Sequence, residues 1–406
     1  MVPRLATHTD CTGCSSCANA CAHYAIEMRA DAEGFLQPFI DAEKCVECGL
    51  CVKKCPVLNP LEIKLNKQIA YAVINYEDRT VSSSGGAFSM FARYVLNKGG
   101  AVYGSMIDEN LQVYHTRITS EEDLSKLRGS KYVQSKVGNT FQEAKNDLMN
   151  GLTILYSGTP CQVAGLYAFL GKRYEGQLLT LDLVCHGIPN QLVFDNYIEK
   201  IKKSTRLKSG NGNVEGFRFR KLDSWDYRPA VKFSETKWQM LSQEDNAYMS
   251  AFFKGLLYRE SCFRCQYAKI ERVGTFTIAD FWGVGRYGKA FKKNVASGVS
   301  LVLDNYGQMQ QILNNISGNV YVEKRTIEEA RAENDNLNFP IKRPQQRDNA
   351  MMDFLDRSTD LKTFCKKYNL LENKDWKFYM KNWLKNLIYF FGLYNVYKTV
   401  SYKLGK

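Results

Sequence analysis

Long hydrophobic runs are missing from this chain of 406 residues. The longest apolar stretch of its C-terminal part, Leu387 to Phe391, falls far below the ~20 residues a spanning helix needs, which argues against a membrane span. The N-terminal segment MVPRLATHTD contains no apolar h-region. No signal peptide is therefore expected, and a cytoplasmic, reducing location follows, where thiols serve metals rather than disulfides. Acidic residues are in deficit: 42 Asp and Glu stand against 55 Lys and Arg, a formal net charge of +13. Such a surplus suits nucleic acid, anionic membranes or acidic proteins. No nucleic-acid motif accompanies it, so the expected partners are acidic redox proteins and anionic cofactors. The apolar fraction of 45% is that of a globular protein with a real core, and the length suggests two or three domains.

What the chain does have is cysteine, placed unevenly: eight of its thirteen lie in the first 55 residues. They form two runs of C-x2-C-x2-C-x3-C, namely Cys11, Cys14, Cys17 and Cys21, then Cys45, Cys48, Cys51 and Cys55. Three sulfurs must converge on one face of an iron–sulfur cube, and two-residue loops with small or turn residues allow it. In this two-cluster spacing the fourth cysteine of each run crosses to the other cluster. Cys11, Cys14, Cys17 and Cys55 are thus assigned to one [4Fe-4S] cluster, and Cys21, Cys45, Cys48 and Cys51 to the other. Pro56 closes the second run; Ala22 stands where the first would have proline. A disulfide framework belongs to secreted chains, and structural zinc prefers two separated C-x2-C pairs.

Past a proline-containing linker the pattern changes. IAYAVIN from Ile69 alternates like a strand, and SSSGG leads into an apolar-periodic helix over about Ala87 to Leu96. AVYGSMI reads as a strand, Ser120 opens a helix, and another runs from about Asn139 to Met149. LTILY, SGTP, QVAGLYAFLG and LLTLDLV read as a βαβ unit with a parallel strand pair. Gln191 to Lys203 is expected as an exposed helix, GFRFRK and PAVKFSE as a meander, and Asn246 to Leu257 as a helix. TFTIAD, SGVSLVLDN and NVYVEKR complete the strands. The fold expected is an α+β ferredoxin-like iron–sulfur domain over 1–62, then an α/β flavin-type domain with a mixed sheet over 68–335. A basic, aromatic helical tail over 336–406 follows. The apolar face of that tail is expected against the core or a second subunit, with a membrane surface as the alternative.

A second set of cysteines lies in this larger part. Cys161 and Cys185 follow the strands of the βαβ unit, where open α/β sheets place their sites, and Cys262 and Cys265 form a C-x2-C pair. Four thiolates suit a third [4Fe-4S] cluster or zinc. Cys365 reads as a packing residue. His186 beside Cys185 is a poor catalytic dyad, because neighbours in sequence rarely face each other. The loop Ser82-Ser83-Ser84-Gly85-Gly86 is neither a Walker A nor a G-x-G-x-x-G motif. It places small residues and hydroxyls at a helix N-terminus, which favours phosphate. With GSKYVQS it suits the pyrophosphate of FAD.

In their order, Ser83-Ser84-Gly85-Gly86-Ala87, Gly129 to Ser135, Gly158-Thr159-Pro160-Cys161-Gln162, Cys185-His186-Gly187, Cys262-Phe263-Arg264-Cys265 and Asp280-Phe281-Trp282-Gly283 resemble the family of the coenzyme F420 hydrogenase/dehydrogenase beta subunit. The resemblance runs from Ile69 to about Glu333, and the N-terminal part resembles ferredoxin-fused versions. It implies a subunit with FAD and its own [4Fe-4S] cluster that oxidises or reduces a deazaflavin. Candidate cofactor contacts are Ser83, Ser84, Gly85, Gly86, Ser130, Lys131, Tyr132, Gln134, Thr159 and Asp280, with Lys131 on a phosphate or the flavin edge. The expected function is an iron–sulfur flavoprotein oxidoreductase. It would move electrons between a hydride carrier, a small molecule such as coenzyme F420 or a substitute, and one-electron clusters that serve a redox partner protein. The alternatives are a ferredoxin-type electron-transfer protein with no substrate of its own, and a zinc-and-iron protein.

Overall fold

The computed structural model describes residues 2–63, 68–204, 206–207, 212–222, 225, 227–316, 318–371 and 380. The N-terminal part has two short helices, α1 (Ser16–Ala20) and α2 (Leu50–Lys53), around an antiparallel hairpin of β1 (Ile26–Ala30) and β2 (Leu36–Ile40). Each helix is the end of one cysteine run. In both runs the residues flanking the second cysteine hold left-handed backbone: Gly13 and Ser15 around Cys14, Glu47 and Gly49 around Cys48. That conformation is cheap for glycine and strained for others. It coils each loop so that its thiols turn to one side.

The larger part contains β3 (Ile69–Asn75), α3 (Ala87–Leu96), β4 (Ala101–Ile107), β5 (Val113–Ile118), α4 (Leu124–Leu127) and α5 (Thr140–Met149). Then come β6 (Ile154–Gly158), α6 (Pro160–Leu170), β7 (Leu178–Leu183), α7 (Gln191–Lys202), β8 (Val214–Arg218), β9 (Ala230–Phe233), β10 (Gln239–Met240) and α8 (Ala247–Phe253). The remainder is β11 (Phe276–Asp280), β12 (Ser300–Asp304), α9 (Met309–Leu313), β13 (Val320–Arg325), α10 (Ile327–Ala332), α11 (Arg347–Leu355) and α12 (Leu361–Lys367).

Eight strands form one mixed sheet in the order β13-β3-β12-β11-β7-β6-β4-β5. Its middle, β4, β6, β7 and β11, is parallel, and antiparallel partners close both sides. The expected βαβ unit is β6-α6-β7. These strands read as unbroken apolar runs because helices cover both faces. α3 packs Phe91 against Phe276 on one face, with ring centroids 4.5 Å apart; α5 and α6 cover the other. The expected meander is a separate three-stranded sheet, β10-β9-β8.

Two expectations need correction. α7 is not an exposed helix: it buries Val193, Phe194, Tyr197, Ile198 and Ile201. Residues 336–371 are not a tail either. α11 and α12 bury Ala350, Met351, Phe354, Phe364 and Cys365 in the core that α7, α8 and the small sheet share. Their helical character was expected; the polar stretch around 334–349 hides from the sequence that they join the core. The expected contacts of the aromatic and basic residues from Trp376 to Lys406 lie outside the described residues. Among the described residues no helix is long and apolar enough to cross a membrane.

Candidate functional site

The left-handed turns of the N-terminal loops generate two small apolar cavities. One, of about 330 Å³, is lined by Cys11, Cys14, Cys17 and Cys55 with Leu5, Met28, Pro38 and Pro56. The other, of about 340 Å³, is lined by Cys21, Cys45, Cys48 and Cys51 with Pro3, Ile26, Ile40 and Val46. The crossed grouping expected from the spacing is the grouping found. Among the described residues no three Cys, His, Asp or Glu side chains are disposed around a single metal ion. Four thiols lining one small cavity are the donor set of a polynuclear cluster. Burial pushes the Cys14 thiol up to about 12 and Cys17 higher still. As bare thiols these groups stay protonated; bound metal would supply the positive charge that deprotonates them.

The second cysteine set also converges. Cys262 feels the charges of Cys185, Cys265 and Cys161, and burial pushes all four thiols upward, Cys161 to about 11 and Cys185 to about 12. Cys161 sits in the first turn of α6. The N–H of Thr159 donates to Gln162 Oε1 at 3.1 Å, which closes that helix start, and Thr159 Oγ1 lies 3.1 Å from Cys161 Sγ. One turn on, Gly165 meets the N-terminal part: a Cβ there would lie 3.0 Å from Cys14 Cβ and 3.2 Å from its sulfur. A side chain there would force Cys14 to give way by a few tenths of an ångström. Tyr267 lies among Cys161, Cys14, Cys265 and Cys55, between the two thiol groups. The buried Arg259 fastens the contact, donating to Cys11 O at 2.6 Å, Leu36 O at 2.8 Å and Gln134 Oε1 at 3.2 Å. Cys185 Sγ donates toward Gly187 O at 3.9 Å, while the His186 ring faces Phe252. They form no dyad. Cys365 is buried in the helical core, as expected of a packing residue.

A third and much larger cavity, open to solvent and of about 1530 Å³, lies along the carboxyl ends of β6, β7 and β11. Of the expected cofactor contacts, Ser83, Ser84, Gly86, Ser130, Lys131, Tyr132, Thr159 and Asp280 line it. So does Cys185, which joins the cavity to the thiol set. Gly85 does not: its α-carbon is pressed on the sheet, and a Cβ would come 2.2 Å from Val73 O and 2.5 Å from Ser300 N. Gln134 does not either. Its Nε2 donates to Thr12 O at 3.0 Å, so it belongs to the contact with the N-terminal part.

Lys131 lines the cavity but turns its ammonium onto Ser105 O, Leu127 O and Arg128 O, at 2.8, 3.0 and 2.9 Å. It thereby satisfies carbonyls at the end of α4, a favourable place for a cation. Burial pushes its pKa down to about 7. The cavity wall also holds Arg220, Tyr227 and Trp282, of which only Trp282 belongs to a motif readable in the sequence. Asp280 accepts from Arg220 Nη1 at 2.8 Å, Tyr227 Oη at 3.0 Å and Trp225 Nε1 at 3.1 Å. The buried Nε and Nη2 of Arg220 have no hydrogen-bond partner. Orphaned donors in a roomy cavity fit a bound group rich in acceptors.

Comparison with known proteins gives two domain matches. Residues 10–59 match the 4Fe-4S dicluster domain, and residues 151–330 match the C terminus of the coenzyme F420 hydrogenase/dehydrogenase beta subunit. The chain is 26% identical over 219 residues to the F subunit of F(420)H(2) dehydrogenase from Methanosarcina mazei, covering 50% of this chain and 62% of that protein. It is 38% identical over 55 residues to the I subunit of NADH-quinone oxidoreductase from Pelobacter propionicus, covering 11% of this chain and 29% of that one. It thus spans less than two thirds of either relative. A chain of the F420-reducing [NiFe] hydrogenase complex from Methanosarcina barkeri superposes over 68% of this chain and 91% of its own, at 16% identity and a TM-score of 0.42.

Proposed function

We propose that this protein is an iron–sulfur flavoprotein oxidoreductase. The proposal starts from residues 10–59, a 4Fe-4S dicluster domain, and residues 151–330, the C-terminal domain of a coenzyme F420 hydrogenase/dehydrogenase beta subunit. Its two-electron partner is a hydride carrier of the deazaflavin class, and its one-electron partner is a redox protein. One observation carries this reading. The large cavity is joined through Cys185 to the four-thiol set, and that set is packed through α6 against Cys14 of the dicluster domain.

A flavin, when bound, exchanges hydride with a carrier and single electrons with clusters. The chain's own residues prepare the rest. The hydroxyls of Ser83, Ser84, Ser130 and Thr159, with the backbone at the start of α3, would take a pyrophosphate. Cys161, Cys185, Cys262 and Cys265 would hold a third [4Fe-4S] cluster, with Tyr267 filling the space toward the next. Gly165 lets the two domains approach closely. Cys48 is exposed, so the second dicluster set reaches the surface where a redox partner would dock.

The test is the composition of the anaerobically purified full chain, followed by addition of reduced coenzyme F420. About twelve irons and one flavin per chain, with cluster absorbance bleached by the carrier, are expected. About eight irons would remove the third cluster, and stoichiometric zinc would replace it. Iron and sulfide without flavin, under conditions that retain it in other flavoproteins, would overturn the flavoprotein reading in favour of a plain electron-transfer protein.

A further inference from the structure

The wall of the large cavity contains a charged side chain with half of its hydrogen bonds unaccounted for. Arg220 lies just beyond β8 and is 5% exposed. Nη1 is bound to Asp280, and the guanidinium carbon lies 4.3 Å from the centre of the Tyr227 ring. One edge and one face of the group are thereby fixed. The other edge is formed by Nε and Nη2, the parallel pair with which arginine binds two acceptors side by side. Both atoms are buried without a partner. The Tyr132 phenol lies beside the guanidinium, within reach of a polar contact, but does not satisfy Nε or Nη2. Buried donors of this kind are normally satisfied, and a charged one is the most costly to leave open.

The surroundings are aromatic. Trp282 stands 5.8 Å from Tyr227 and 4.8 Å from Trp225, Tyr227 stands 4.8 Å from Phe253, and Tyr132 stands 4.8 Å from Phe252. Tyr132, Tyr227, Trp282, Phe252 and Phe253 all line the cavity. Flat apolar walls around one open, planar donor pair suit a flat ligand with two acceptors on its edge, stacked on the rings. A free phosphate or carboxylate would use the fork but not the walls.

We infer that the Nε and Nη2 fork of Arg220 receives the paired-acceptor edge of a planar heteroaromatic ring, the N1 and C2-carbonyl edge that flavin and deazaflavin rings share. Asp280 is its positioning residue, since it holds the fork in place and balances its charge when no ring is bound. A fixed cation on that edge favours the form of the ring that carries more negative charge, which is the reduced one. The inference rests on the flavin and deazaflavin reading given above, and it leaves two sources for the ring: a resident FAD or the transient carrier.

The experiment uses the anaerobically purified full chain and its R220K and R220M variants. Iron and sulfide per chain report the fold. The dissociation constant of re-added FAD reports a resident ring. Titration of flavin-loaded protein with coenzyme F420 reports the carrier, and the midpoint potential of the bound ring is read in the same cell. Both variants are expected to lose about tenfold or more in affinity for one of the two rings. R220M should also move the potential of that ring to a more negative value, while R220K, which keeps the charge but not the fork, should move it less. Loss for FAD assigns the edge to the resident ring; loss for F420 alone assigns it to the carrier. Wild-type affinity for both rings in an iron-replete R220M overturns the assignment. Wild-type affinity in R220K overturns it too, should R220M fail to hold iron. A wild-type protein that binds neither ring overturns the functional reading itself, which is a separate result.

Discussion

The dicluster part and the sheet domain are held together by different forces. Over its first 60 residues the chain buries few apolar side chains, chiefly Ala25, Ile26 and Phe35, with the thiols Cys14 and Cys51. Its strands are five residues long and its helices five and four. A unit of that size has too little core to stand by itself. The sheet domain buries both faces of eight strands beneath three apolar clusters, and a fourth fills the part built from α7, α8, α11, α12 and the small sheet. The first part is thus a fold organised by its metal ligands, while the second is organised by its core. The contact between them joins an apolar anchor, Phe35 in the core around α7, to a set of polar bonds. Arg259 binds three acceptors, Arg347 forms a two-pronged pair with Glu33, and Asn190 donates to Glu33 O at 2.9 Å.

Removing iron should break the comparison most visibly. Stripping the clusters is expected to abolish amide protection over residues 2–60 while β3, β6, β7 and β12 keep theirs, because the binding energy of the metal is folding energy only where the core is absent. Unchanged exchange in the N-terminal part after iron loss would show that packing on α6 suffices. Phe91→Ala is the converse test. It opens a cavity beneath α3, should lower stability by about 4 kcal/mol in urea denaturation, and should leave iron per chain unaltered.

Arg259→Met acts between the two parts. It leaves Cys11 O and Leu36 O without their charged donor and should weaken the docked state by about 3 kcal/mol, with faster exchange confined to the N-terminal part and the loops facing it. Exchange that rises evenly across the whole chain would make Arg259 an ordinary core residue instead. His115 gives the smallest effect and belongs to the sheet domain alone. It is buried between Ser135 Oγ at 2.8 Å and Ser157 O at 3.0 Å. Burial, with the Lys131 charge adding to it, pushes its pKa down to about 4 from 6.5. The ring is neutral in the fold, so the unfolded chain takes up the proton first as pH falls. The stability it contributes is present above about pH 6.5 and is lost toward pH 4. Between about pH 7 and about pH 5 the loss should be about 2 kcal/mol. A His115→Gln variant should lack that share of the pH dependence, measured as the urea midpoint at each pH.

The same contrast explains what was legible. α3 was readable from its apolar period and its Asn97-Lys98-Gly99-Gly100 stop, and β6-α6-β7 from Pro160 and the flanking apolar runs. α7 was readable as a helix but not as a buried one, because its polar face is as prominent in sequence as its apolar face. α11 and α12 were legible as helices of the tail but not as part of the core, because they are short and flanked by polar residues. Among site residues, Ser83, Ser130 and Thr159 announced themselves as loop residues at strand or helix ends. Gln134 shares a motif with Ser130 and Lys131, yet the backbone turns it away from the cavity and onto Thr12. Arg220 carried no signal, since an arginine in an alternating strand reads as a solvated one.

By itself the sequence determined which N-terminal cysteines come together and their crossed grouping. Each cluster needs three sulfurs within seven residues, and chain connectivity over such a short span leaves little else for the loops to do. The sequence offered Cys161, Cys185, Cys262 and Cys265 as one set; only the tertiary structure decided that Gly165 brings that set to Cys14 and that Arg220 lines a cavity. Those residues approach one another because of the strand order β13-β3-β12-β11-β7-β6-β4-β5 and the packing of α6 beneath it. That order comes from the burial of apolar surface summed over the whole sheet, a long-range quantity that no short motif carries.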